Sequence, residues 1–179
     1  MRSLAILVAL CALVAGTFLG VRAAQNKQTR PSPPAKAFCD LGGGKSLTIA
    51  YSSPRAKGRT VFGGLVPYGE VWRAGANEAT TFVTDADLTI GGKTVPAGSY
   101  TLFTIPDKDK WTLIISKKTG EWGTPYPGAE SDFARIDMTP STLPATVENF
   151  TIFFDHSATA CTLRLDWETT RASIAISKK

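Results

Sequence analysis

A chain of 179 residues has room for one domain with a real core, and its formal charge of +5 is mild. Removing the first 23 residues takes away Arg2 and Arg22 and no acid, which lowers the charge to +3. So small an excess, with no basic run, gives no footprint for nucleic acid, and the single histidine and three cysteines show no zinc-site spacing, so neither a metal nor another cofactor is expected.

The first element reads as a targeting segment. Arg2 supplies a positive start, Leu4 to Leu19 is almost unbroken apolar chain, and Val21-Arg22-Ala23 offers the residues a signal peptidase reads. A signal peptide over 1–23 is expected, with cleavage before Ala24 and an exported protein, periplasmic or secreted. The apolar run of about 16 residues is short for a spanning helix, which needs roughly 20. An uncleaved N-terminal membrane anchor is the alternative. Leu10 ahead of Cys11 is too large for a lipoprotein signal. After cleavage no membrane span remains.

Residues 24–37 are polar, proline-rich and without periodicity, and read as a tether. One β domain, 38–179, follows. The exported chain keeps Cys39 and Cys161, an even count that predicts a disulfide. It would close a loop of about 120 residues, for which loop entropy gives nearly 5 kcal/mol. Two buried free thiols are the alternative.

Strand signals then dominate. Leu47, Ile49 and Tyr51 alternate with Ser46, Thr48 and Ala50 as in a half-buried strand that ends at Ser53-Pro54. Thr80 to Thr84 is β-branched and aromatic. Leu88-Thr89-Ile90 and Lys93-Thr94-Val95 flank Gly91-Gly92 as a hairpin with a two-residue turn. Pro96-Ala97-Gly98 turns into Tyr100 to Ile105, and Pro106 to Lys110 turns back into Trp111 to Ile115. Four later strands are read at Ala134 to Met138, Val147 to Phe154, Cys161 to Trp167 and Ala172 to Ile176. Apart from a short helical turn around Tyr68 to Ala74, helical periodicity is missing after the leader. The prediction is an all-β domain, an antiparallel β-sandwich or partly open barrel of about 8–10 strands.

Between the first two strand signals lies Lys57 to Thr80, which lacks apolar periodicity but carries five glycines, Arg59, Tyr68, Trp72, Arg73, Asn77 and Glu78. Arg55, Lys57 and Arg59 would share a face if extended, either to hold a carboxylate or phosphate or as a solvated edge. Trp122 and Tyr126 stand in a loop, where aromatics make binding platforms, whereas Trp111 begins a strand and reads as core. Asp155-His156 could pair a base with its carboxylate, but adjacent strand residues point oppositely, so a surface turn is the better reading.

Lys57-Gly58-Arg59, the run Phe62 to Gly69, Val71-Trp72-Arg73 and the run Gly75 to Thr80 together resemble the signature of a bacterial family, domain of unknown function 2911. Pro96-Ala97-Gly98, Tyr100, Leu102-Phe103, Ile105-Pro106 and Trp122-Gly123 extend the likeness over about Ser46 to Phe154. The resemblance implies an exported, β-rich protein and carries no activity with it. The proline-rich tether and the extension past Phe154, with Cys161, depart from the pattern.

Three functions follow. The first is a binding module for a small anionic or carbohydrate-like ligand, with Arg59, Arg73, Asn77 and Glu78 lining one site, Tyr68 and Trp72 walling it, and Arg73 paired with Glu78 when empty. The second is a cofactor-independent enzyme with Glu78 as acid or base and Arg59 or Arg73 stabilising negative charge. The third is a structural envelope protein in which the central stretch covers one end of the sandwich. No complete catalytic set can be assembled, which favours binding. Oligomeric state is left open.

Overall fold

The computed structural model describes residues 29–157 and 160–179. The expected signal peptide and the start of the tether lie outside the described residues. Among the described residues nine strands form one antiparallel sheet: β1 (Pro34–Gly42), β2 (Lys45–Ser52), β3 (Thr80–Thr84), β4 (Leu88–Ile90), β5 (Lys93–Val95), β6 (Gly98–Ile105), β7 (Trp111–Ser116), β8 (Asp132–His156) and β9 (Ala160–Lys178). Their order is β1-β2-β3-β6-β7-β8-β9-β4-β5, so the sheet ends on β1 and β5 and is not closed. This is the expected all-β architecture, a sandwich of the open-barrel kind. No helix among the described residues is long and apolar enough to cross a membrane.

Alternation dictates the inner face. Leu47, Ile49 and Tyr51 of β2 and Phe82 of β3 are buried, and the residues between them are half-buried or exposed. β6 and β7 bury both faces: Leu102 and Leu113 join the main core, while Phe103 packs outward against Tyr126, ring centroids 5.2 Å apart. The loop after β7 thus covers part of the outer face. Its base is closed by Lys117 N–H donating to the Ser131 carbonyl at 2.8 Å.

The four late strands read from sequence are two continuous ones. β8 pairs β7 from Asp132 to Met138, then passes to β9 from Thr139 onward, with register shifts between Thr142 and Val147 and between Val147 and Thr151. The prolines between the first two of these readings sit where pairing changes hands: Pro140 just after the last β7 partner and Pro144 inside the first shift. At the other end of the chain β1 takes in Pro34 to Ala37, the last residues of the stretch read as a tether. Pro34 opens an edge strand, a position where its missing N–H costs nothing. The Gly91-Gly92 hairpin is as read: Ile90 pairs Lys93, and both glycines have positive φ, +53° and +78°, as a tight two-residue turn demands.

Lys57 to Thr80 plugs one end of the roll. Val61, Phe62, Val66 and Ala74 are buried, and Trp72 stacks on Trp167 at 5.7 Å and meets Phe150 edge-on at 4.8 Å. The helical turn expected at Tyr68 to Ala74 does not form. Trp72 instead exchanges two backbone hydrogen bonds with Thr104, at 2.7 and 2.8 Å, which hold it extended against β6. On the opposite side of the chain's path, Cys39 of β1 and Cys161 of β9 stand at disulfide distance with Cα atoms 6.4 Å apart. The two strands are far apart in the sheet order, so only rolling of the sheet brings them together.

Candidate functional site

Lys57 and Gly58 both adopt positive φ, +53° and +69°, and this turn breaks the alternation of Arg55, Lys57 and Arg59. The three cations therefore do not share a face. Arg55 donates to the Ser53 carbonyl at 2.6 Å and hydroxyl at 2.8 Å. Arg59 folds back onto the carbonyls of Ala56 (2.9 Å) and Arg55 (2.7 Å), where it ties the turn.

The other expected site residues are dealt out in different directions. Tyr68 is partly exposed and lies over Gly63, where a Cβ would come within 2.7 Å of Tyr68 Cε2; Lys108 Nζ is 6.0 Å from its ring centre. Trp72 belongs to the aromatic plug. Arg73 Nη1 donates to the Asn77 carbonyl at 3.0 Å and to Thr124 Oγ1 at 3.4 Å, and burial holds its pKa below the usual arginine value. Asn77, at φ +56°, donates from Nδ2 to the Ser32 carbonyl at 3.0 Å. Glu78 accepts from Arg30 Nη1 at 2.8 Å. The pairing expected between Arg73 and Glu78 is thus replaced by two others. Arg73 turns to the backbone of its own loop, and the left-handed Asn77 turns Glu78 toward the N-terminal segment.

That segment, crossing the outer face of the sheet, makes a cleft of about 170 Å³ lined by Arg30, Pro34, Ala50, Tyr51, Ser52, Glu78, Ala79 and Thr81. Of the six residues read as a ligand site, Glu78 lines it, and Asn77 anchors the segment that forms its wall. Arg59, Tyr68, Trp72 and Arg73 are not among its lining. The floor is the cross-strand row Ala50-Thr81, which continues to Thr101 of β6. Thr101 Oγ1 is fully buried with no hydrogen-bond partner among the described residues. Beside the cleft, Ala79 N–H donates to the Glu121 carbonyl at 3.2 Å, so the Trp122 loop abuts this wall. The Trp122 side chain is 55 % exposed, while Tyr126 is engaged with Asp132 at 2.5 Å. Arg30 was invisible from sequence because nothing in an aperiodic, proline-rich stretch announces a partner 48 residues away.

A second group sits at the hairpin end of β8. Asp155 pairs with Arg164 and not with its neighbour His156. His156 instead places Nδ1 3.7 Å from Cys161 Sγ.

An open antiparallel roll, plugged at one end by tryptophans and crossed on its outer face by its own N-terminal segment, defines a class of β-sandwich module. The chain belongs to the family described as a protein of unknown function, DUF2911, whose family model matches residues 32–176. The match is wider than Ser46 to Phe154: it takes in all of β1 and most of β9, so Cys39 and Cys161 both fall within it. No curated protein and no solved structure matches the chain.

Proposed function

We propose that this is an exported binding module that takes a small anionic or sugar-acid ligand in the cleft between β2, β3 and the N-terminal segment. The observation that carries the reading is the Arg30–Glu78 pair on the cleft wall. Its side chains are 19 % and 37 % exposed, so the guanidinium is held in place by a carboxylate that a ligand carboxylate or phosphate can displace. The small volume suits one compact acid and not a drug-sized molecule, whose pockets run to about 300–1,000 Å³. Trp122 adds a flat apolar surface next to the Ala79 wall, as carbohydrate-like ligands favour. Export is supported by the apolar leader and by a cysteine pair at disulfide distance, and N-terminal sequencing of the exported protein should find Ala24 first.

The test is calorimetric titration with uronic acids, small dicarboxylates and phosphorylated sugars. Arg30→Gln should weaken any hit roughly 10–100-fold, the loss of a charged hydrogen bond. Glu78→Gln should bind as well as or better than wild type, because the competing carboxylate is gone. A half-exposed pair contributes under about 1 kcal/mol, so both variants should stay folded. If no anion binds, or Arg30→Gln binds as well as wild type, the cleft is not a binding site.

The structural reading is favoured by a different observation, the burial of Phe62 and Trp72 among Phe150, Trp111 and Trp167. It explains most of the central stretch as an end cover, and it is compatible with a cleft elsewhere.

A further inference from the structure

Cys39 and Cys161 stand 122 residues apart in sequence and His156 five residues before the second, a spacing with no metal signature. The fold nevertheless brings the two sulfurs and the imidazole within 4.8 Å of one another. We infer that these three side chains are a redox-gated soft-metal site: a staple when oxidised, a Cys₂His centre for zinc when reduced.

Three observations support it. A tetrahedral zinc with Zn–S near 2.3 Å and Zn–N near 2.0–2.1 Å requires an S···N edge of about 3.6 Å and an S···S edge of about 3.8 Å. Cys161 Sγ lies 3.7 Å from His156 Nδ1, and the two sulfurs, bonded to each other in this structure, have to part by rotation of their side chains once reduced. The backbone carbonyl oxygen of Asp40 lies 3.7 Å from Cys39 Sγ and 4.0 Å from Cys161 Sγ, which puts a hard oxygen beside the remaining coordination position. The sulfurs are buried while His156 is exposed, so the imidazole edge is the route by which an ion reaches the thiolates. Asp155 is committed to Arg164 and offers no competing carboxylate to the ring.

The chemistry balances with a dithiol reductant. Two electrons and two protons pass from the dithiol to the cystine, which becomes two thiols as the donor closes to its own disulfide. Zinc then displaces the two thiol protons and takes the lone pair of the neutral imidazole. Two thiolates and one dication leave the centre uncharged, which suits a buried site, and soft sulfur ligands select zinc or cuprous ion over magnesium or calcium.

The test is titration of the full chain with zinc against a chromophoric chelator, before and after reduction with a phosphine that does not itself offer thiols, followed by cobalt substitution. The reduced protein should bind one zinc per chain with its β-sheet circular dichroism intact, the oxidised protein none, and the cobalt form should show thiolate charge-transfer bands. Cys39→Ser should abolish binding but could also loosen the fold, so His156→Ala, at an exposed position, is the decisive variant. Losing a direct ligand should cost more than the 10–100-fold typical of an outer-shell partner. Equal zinc uptake by oxidised and reduced protein, unchanged affinity in reduced His156→Ala, or uptake only after the sheet is lost would each overturn the assignment.

Discussion

Trp72 is half-buried and packs against the core in the structure, although the sequence reads it as the apolar wall of a ligand site. It is aromatic, flanked by Arg73 and set among glycines, the surroundings of a ligand wall. Yet its ring lies between Trp167 and Phe150 in the plug. Trp72→Ala should therefore destabilise the protein by about 3–5 kcal/mol in chemical denaturation, the range for removing a large packed aromatic. A loss under about 1 kcal/mol would place the ring outside the core. Tyr51 makes a second residue-scale prediction. Its hydroxyl accepts from Ile152 N–H at 2.9 Å, and burial pushes the phenol above its ordinary pKa, offset in part by that bond and by Arg55. A pKa raised in the folded state means stability is intact below the unfolded value of about 10 and is lost as pH rises through the folded one. Tyr51→Phe should cost about 1–3 kcal/mol at neutral pH by leaving the Ile152 amide unpaired. It should also flatten the alkaline loss of stability relative to wild type. An unchanged alkaline slope contradicts the assignment.

At the scale of elements, regular alternation was legible and changes of partner were not. Thr80 to Thr84 and the Gly91-Gly92 hairpin stand in the structure where they stand in the sequence, because β-branched composition and turn chemistry act locally. β8 was read as two strands because a proline at a bulge looks the same in sequence as a proline in a loop. β9 was read as two because the polar run Glu168 to Arg171 reads as a turn, although the strand passes through it with Glu168 at φ +55°. β1 was not read as a strand: Pro34 to Ala37 fell within the stretch read as a tether and Phe38 to Gly42 gave no strand signal, and pairing with β2 supplies the order. The cleft was legible only through Glu78 for the same reason: its partner Arg30 is brought there by that edge strand. The Trp122 loop is held by contact and not by pattern. Gly123, at φ +92°, sits where a Cβ would come within 2.9 Å of Arg73 Cδ and 3.1 Å of Ala79 Cα. Gly123→Ala should therefore cost about 1–3 kcal/mol from backbone strain and should shift the emission of exposed Trp122. A fully stable variant with unchanged fluorescence would show that the loop has room.

For the whole molecule, the sheet is an open roll whose first strand packs on β9 and is joined to it covalently through Cys39 and Cys161. Joining them in the oxidised chain restricts the unfolded state, and reduction should lower stability by about 2–5 kcal/mol in denaturant titrations. If zinc occupies the reduced pair, adding it should recover part of that loss. The same rolled geometry lays the N-terminal segment over the outer face and creates the cleft, so the function proposed depends on the order of residues that a sequence presents as a tether.

The most direct measurement is a nuclear magnetic resonance titration of the oxidised chain with a compact acid ligand, following the Arg30 guanidinium and the backbone amides around the cleft. Saturable shifts confined to Arg30, Ala50, Ser52, Glu78 and Thr81, and lost in Arg30→Gln, are predicted. Shifts centred on Arg59 or Tyr68 instead, or no saturable shift with any small carboxylate, phosphate or uronic acid, would contradict the cleft as the protein's binding site.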